Sequence, residues 1–206
     1  RVKELSLGEL KALVAAGRPV EQCALTRLDL SGADLSGAVF HHVLLTGCLM
    51  GGANFSGATF RRATISGGAA PGARFDDATF DNAILTAVSL VGAAFKRTRV
   101  IGTTFSECRL DRCTFDTCRL EGGTLLTGNA LPEARFLRTV FERVYAMESD
   151  LRGAHFEAGL LEQVKLDFSD LTGAHFIRML FKEVSFVEAR LPGIDLGFRP
   201  AMSVTP

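Results

Sequence analysis

The sequence carries no excess of either charge: Lys and Arg together number 23, and so do Asp and Glu. Neither a nucleic-acid-coating polycation nor a polyanion is indicated, so no direct contact with nucleic acid is expected. It lacks a run of about 18 apolar residues, which a membrane-spanning helix needs, and it shows no signal-peptide pattern. A membrane partner is therefore not expected, and a cytoplasmic location is. There is no phosphate-binding glycine loop, no nucleophile elbow and no CxxC pair, and only four histidines. With so little for catalysis to work with, the chain is expected to be neither an enzyme nor a cofactor binder. Arg1, not Met, opens it, so residues preceding it in the natural protein are expected.

What is present is a beat of five. Every fifth residue from Leu25 through Leu30, Leu35, Phe40 and Leu45 to Leu120 and Leu125 is apolar. Two positions before each stands a small or β-branched residue in most cases, as at Ala33, Ala38, Ala53 and Ala93. The remaining positions are mostly Asp, Asn, Ser, Thr, Arg or Gly. A helix would space its apolar residues at 3.6 and a half-buried strand at 2. A period of 5 fits neither, and requires a backbone that turns a corner every pentad with one large and one small side chain pointing to a shared axis.

A longer rhythm sits on this one. Phe55, Phe75, Phe95 and Phe115 recur every 20 residues, and after a shift of one the series continues as Phe136, Phe156 and Phe176. A neighbouring column holds Phe40, Phe60 and Phe80 and resumes at Phe141 and Phe181. Four pentads thus make one coil, and like residues stack on successive coils.

The runs Ala33-Asp34-Leu35-Ser36-Gly37 and Ala53-Asn54-Phe55-Ser56-Gly57 resemble the A(D/N)LXX motif of the pentapeptide-repeat family, over roughly residues 20 to 198. The resemblance implies an all-β solenoid, a right-handed quadrilateral β-helix without an enclosed ligand cavity, and a family that is mostly non-enzymatic. The unbroken repeat makes one solenoid, and coils about 4.8 Å apart make a rod on the order of 40 Å long.

Residues 1–19 are expected to cap that rod. Ser6 with Glu9 forms a capping box and Leu5 with Leu10 a hydrophobic staple; Gly17 and Pro19 end the helix. Leu10, Leu13 and Val14 share a face, which is expected to cover the open first coil. Residues 20–198 make the β-helix. Ala70, beside Pro71 and Gly72, is expected to form a local bulge. A one-residue slip is placed between 126 and 135, where Gly128, Asn129 and Pro132 supply turn chemistry. Residues 199–206 form a tail expected to fray or to cover the last coil. Cys23, Cys48, Cys108, Cys113 and Cys118 all fall on the small inward position, so they read as buried small hydrophobes, and buried thiols in odd number suit a reducing compartment.

Two groups of outward residues stand out. His155, His175 and Asp195 precede the central residue of one wall on consecutive coils, and two His with a carboxylate form a ligand set for zinc or iron; a plain surface column is the preferred reading, so no metal is expected. Val140, Leu160 and Leu180 stack on an outer wall, with Phe168 and Ile177, and further Met147 and Val187, exposed in the same half. So much exposed apolar surface marks a contact surface, for another protein or for a second copy. Arg61, Arg62, Lys96, Arg97, Arg99 and Arg119 form looser basic patches of a solvated face.

These readings favour a non-enzymatic scaffold or adaptor. The entry LVAAGRPVEQCALTRLDLSGADLSGA is similar to pentapeptide arrays that accompany type VI secretion loci, which implies an accessory protein that helps to load an effector. The alternative resemblance, in length and Phe-rich columns, is to quinolone-resistance pentapeptide proteins, which implies binding to DNA gyrase or a related topoisomerase and protection from an antibiotic. A neutral chain departs from the acidic, DNA-like rods of that group, since a duplex mimic must reproduce dense phosphate charge.

Overall fold

The computed structural model describes residues 1–197, and there the chain is an all-β solenoid of about nine turns with parallel strands and one short helix. Short strands such as Val39–His41 and Leu44–Thr46 form the walls. Each pairs in parallel with the strand 20 residues on, for example Phe40 with Phe60 and Leu45 with Ile65. Corners are made by residues with positive φ: Gly at 37, 57 and 92, but also His42, Arg62 and Arg97. The Asp or Asn of the motif has its own part in the turn. Asp34 Oδ1 accepts from Ser36 N, and Asn54 Oδ1 from Ser56 N, which satisfies a backbone donor that the corner would otherwise leave free.

The phenylalanine columns are stacked. Along one of them, ring centroids lie 5.2 Å (Phe55–Phe75), 5.0 Å (Phe75–Phe95), 4.4 Å (Phe95–Phe115), 5.1 Å (Phe115–Phe136) and 4.7 Å (Phe136–Phe156 and Phe156–Phe176) apart, with interplanar angles between 2° and 17°. Parallel strands in register force like rings over like, and each pair adds about 0.5–1.5 kcal/mol beyond its burial.

All five cysteines are buried and unpaired. Each of four thiols reaches a carbonyl of the preceding coil: Cys48 Sγ–Leu25 O 3.3 Å, Cys108–Leu85 3.3 Å, Cys113–Leu90 2.9 Å and Cys118–Phe95 3.1 Å. Thr98 Oγ1 donates in the same way to Phe75 O at 2.7 Å. The small inward position thus accepts a compact side chain, and a thiol or hydroxyl there gains a bond to that carbonyl. Burial pushes the Cys113 thiol up to about 12 and that of Cys118 to about 11.

The N-terminal cap is a helix over Leu7–Ala15 with the expected capping box: Ser6 N donates to Glu9 Oε2 at 2.8 Å, and Glu9 N to Ser6 Oγ at 3.2 Å. It ends in a Schellman turn, with Gly17 N bonded to Val14 O and Arg18 N to Leu13 O. Leu10 is fully buried, and Leu13 and Val14 pack on the core beside it. A two-residue strand, Lys3–Glu4, adds to the cap: it pairs with Cys23 and Ala24, and Leu5 N donates to Ala24 O. Leu5 therefore sits one repeat before Leu25 and begins the core column ahead of the helix.

Two expectations are corrected. The slip lies not between 126 and 135 but between Glu121 and Thr124, where the register shifts. Gly122 and Gly123 both adopt positive φ there, at 69° and 81°, and so absorb an added residue at a corner without steric cost. Leu126, 2% exposed, carries on the core column, while Leu125 is turned out at 38%. Gly128 is an ordinary corner and Asn129 an ordinary inward residue. No bulge occurs at Ala70 either: Leu49, Ala69 and Ser89 remain in register, and Ala70 is fully buried. The tail 199–206, with the expectation that it covers the last coil, and Phe198 lie outside the described residues.

Candidate protein-binding walls

Numbered by their central residues, the four walls follow Phe40, Leu45, Met50 and Phe55 and the residues stacked on each. Val140, Leu160 and Leu180 do form a column, on the leading edge of the first wall and in register. Exposure rises along it: the first two are half-buried, and Leu180 is 69% exposed. Ile177, half-buried on the fourth wall, reaches the same corner from the other side, separated from Leu180 only by the corner residue Arg178 and the inward Met179. Phe168 does not join them. It stands at the corner between the second and third walls, diagonally across the rod, with φ of 60° and 52% exposure. The residues expected to form one surface therefore fall into two apolar patches, divided by a polar belt in which Gln163 Nε2 donates to Glu183 Oε2 at 3.0 Å and Lys165 lies 5.9 Å over the Tyr145 ring.

The end of the rod adds a third apolar area that the periodicity does not reveal. In the last described coil Phe181 is 44% exposed, Leu191 37% and Leu196 45%, whereas their counterparts one coil earlier, Leu161, Leu171 and Phe176, are buried. Phe181 lies edge-on to Phe186, ring centroids 6.2 Å apart. A further feature, equally unforeseen, is the second wall from Leu44 onward, where Leu44, Ile84 and Leu125 are exposed among Thr and Ser. From Leu44 to Thr127 none of its outward residues between the corners is charged.

His155, His175 and Asp195 are brought into one column. The two rings lie 5.8 Å apart, and strands pair His155 with His175 and His175 with Asp195. Their nitrogens are nevertheless engaged separately: His155 Nε2 with Glu157 Oε2 at 3.2 Å, and His175 Nδ1 with Asp195 Oδ2 at 3.3 Å. Glu157, its carboxyl lowered first by His155 and then by Arg178, also accepts from Arg178. A guanidinium at the column opposes a second cation. Among the described residues no three His, Cys, Asp or Glu side chains are arranged to hold a metal.

Several charges of the fourth wall and its flanking corners are matched in pairs between coils: Arg97 with Asp77 at 2.6 Å, Arg138 with Asp116 at 2.7 Å, and Arg178 with Glu157. On the first wall Arg99 meets Glu121 at 2.8 Å, Lys182 meets Glu162 at 2.6 Å, and Arg119 lies between Glu121 and Glu142. Of the basic patches read from the sequence, Arg61 pairs with Asp81 at 3.1 Å. No described helix is long and apolar enough to cross a membrane.

Two family models, both described as pentapeptide repeats, match residues 21–94 and residues 83–122 with 160–197. Among solved structures, HetL, a pentapeptide repeat protein involved in heterocyst differentiation regulation from the cyanobacterium Nostoc sp., is 22% identical, with a TM-score of 0.45 and coverage of 92% of this chain and 96% of that one. QnrB1, a plasmid-mediated fluoroquinolone resistance protein, is 21% identical in a trypsin-treated variant form, with a TM-score of 0.42 and coverage of 82% of this chain and 83% of that one. No curated protein sequence matches.

Proposed function

The chain belongs to the pentapeptide-repeat proteins, and from that premise we propose that it is a non-catalytic scaffold that binds another protein, or a second copy, through the outer walls of its C-terminal half. One observation carries this reading: the in-register column Val140, Leu160 and Leu180 grows more exposed toward the end of the rod, where it meets Phe181. Apolar surface of that extent is a liability unless a partner covers it. Rigidity is what a scaffold needs, and stacked coils supply it. An accessory role in type VI secretion, suggested by the N-terminal run, is the finer form of the same proposal. Gyrase binding by imitation of duplex DNA is weakened by the pairing of Arg with Asp and Glu between coils, which cancels the dense negative charge that such mimicry requires.

Capture from a lysate of the source organism tests the proposal, using wild type beside Leu180→Asp. Loss of captured protein, or of self-association seen by light scattering, in the variant alone supports it. Identical behaviour of the two, with the β-helix intact by circular dichroism, sinks it. Unchanged gyrase supercoiling at excess protein removes the alternative.

A further inference from the structure

Phe168 is a residue for which neither the local backbone nor the core gives a reason. Its column of corner residues reads Gly128, Glu148, Phe168 and Glu188, all with positive φ, the left-handed region that suits Gly and that bulky side chains rarely enter. The ring gains little from packing in exchange, being 52% exposed. Yet the corner that presents it is held firmly. Asp167, 9% exposed, accepts from Ser185 Oγ at 2.5 Å and from Val187 N at 2.9 Å. Ser169 on the other side donates to Ala146 O at 2.8 Å and accepts from Ser149 N at 3.1 Å. Phe168 N itself bonds to Val187 O at 2.8 Å. An aromatic ring on a fixed pedestal loses little entropy on binding.

Its surroundings indicate what it would meet. Val187, 55% exposed, and the half-buried Met147 lie beside it on the second wall. One coil to either side, about 4.8 Å away, stand the exposed Glu148 and Glu188. The ion pairs of this half among the described residues, such as Arg152–Asp150, Arg178–Glu157 and Lys182–Glu162, leave both carboxylates out. The pattern is an apolar knob between two free negative charges.

We infer that Phe168, with Met147 and Val187, is the anchor of a docking site for a protein that offers an apolar pocket rimmed by Lys or Arg. This rests on the scaffold reading but concerns the corner diagonally opposite Leu180, so the two can fail separately. A buried aromatic surrounded by complementary charge is the arrangement in which a few residues dominate binding, while the flanking carboxylates speed and orient the approach.

The test installs a photoreactive benzoyl group on the ring of Phe168 in the full chain, irradiates it in lysate of the source organism, and sequences the cross-linked peptide. A peptide with apolar residues next to Lys or Arg is expected. For the protein so identified, Phe168→Ala should weaken binding by about 30-fold or more. Phe168→Tyr should retain it, and Glu148→Gln with Glu188→Gln should slow association and flatten its salt dependence. Phe168→Asn, which tolerates the corner, gives the same loss on a securely folded rod. A cross-link to a second copy, to an acidic segment or to nothing overturns the inference, as does unchanged affinity of Phe168→Ala. If Leu180→Asp abolishes capture while Phe168→Ala does not, the scaffold reading stands and this site falls. If neither matters, both fall.

Discussion

The rod divides at the slip, and its two parts are built differently. Before Gly122 the inward small positions run mainly to Ala, as in Ala33, Ala53, Ala73 and Ala93, the walls are strands of about three residues, and the end is closed by the Lys3–Glu4 strand and the helix. After it, Val140–Tyr145, Leu160–Lys165 and Leu180–Ser185 run continuously round a corner, and buried polar side chains bond from coil to coil. Asn129 donates to Phe105 O at 2.9 Å and accepts from Cys108 N at 2.9 Å; Ser149 donates to Leu126 O at 2.7 Å, and Ser169 to Ala146 O. The first part relies mainly on dispersion and burial at its Ala positions, which are tolerant of neighbours, with Thr98 and four cysteines adding bonds to the preceding coil. The second depends on directional bonds that cost dearly if left half made, and it is the part that exposes Leu180 and Phe168.

The contrast is broken most severely at the centre of the Phe stack. Phe115→Ala should lower unfolding free energy by about 3–5 kcal/mol, read by chemical denaturation. Phe181→Ala, in the last described coil and 44% exposed, should cost a small fraction of that; equal losses would mean that the ring is covered.

Next come the inward glycines, one in each part. A Cβ on Gly68 would lie 2.4 Å from Cys48 O, and one on Gly159 would lie 2.3 Å from Thr139 O. Gly68→Ala and Gly159→Ala should each cost about 1–3 kcal/mol, because the obstacle is backbone. Asn129→Ala should cost a comparable ~1–3 kcal/mol by leaving Phe105 O and Cys108 N unpaired. Ala73→Ser, which adds a donor in the first part, sharpens the comparison, for a coil that tolerates it must supply a carbonyl in reach.

A smaller effect separates the thiols from solvent. Because burial raises the folded-state pKa of Cys113 to about 12 and of Cys118 to about 11, the unfolded chain releases these protons first. Stability should be intact below the unfolded thiol value, decline as pH rises past about 9, and continue to fall until the folded values are passed. Thiol-alkylating reagents at neutral pH should leave both unmodified in the native rod, and modification without unfolding would contradict their burial. The smallest effect on stability is expected at Leu180→Asp, within about 0.5 kcal/mol as for an exposed site, although assembly should be lost.

Much of this is legible because the repeat is strict. A period of 5 with like residues 20 apart leaves one arrangement in which Phe75, Phe95 and Phe115 all avoid water, and the cap announces itself in Ser6, Glu9 and Gly17. The slip is misplaced by the periodicity for a specific reason: Leu125 and Leu126 are adjacent and equally apolar, so the beat can be counted through either. Only the Gly122-Gly123 pair signals the true position. The Lys3–Glu4 strand is hidden by its brevity, although Leu5 stands 20 residues before Leu25. Outward position picks out the exposed apolar residues, but order along the chain does not say which corner each one occupies.

The one-dimensional pattern by itself determined the coil, its core and its N-terminal lid, since burying a large residue in every pentad is a local demand repeated many times. Only the folded rod decided that Leu180 and Phe168 lie on opposite corners, that Arg and Asp from successive coils neutralise one another, and that Phe181 is uncovered among the described residues. Those are relations between residues on different walls or successive coils, fixed by the handedness of the corners and the register of the coils, which no residue carries alone.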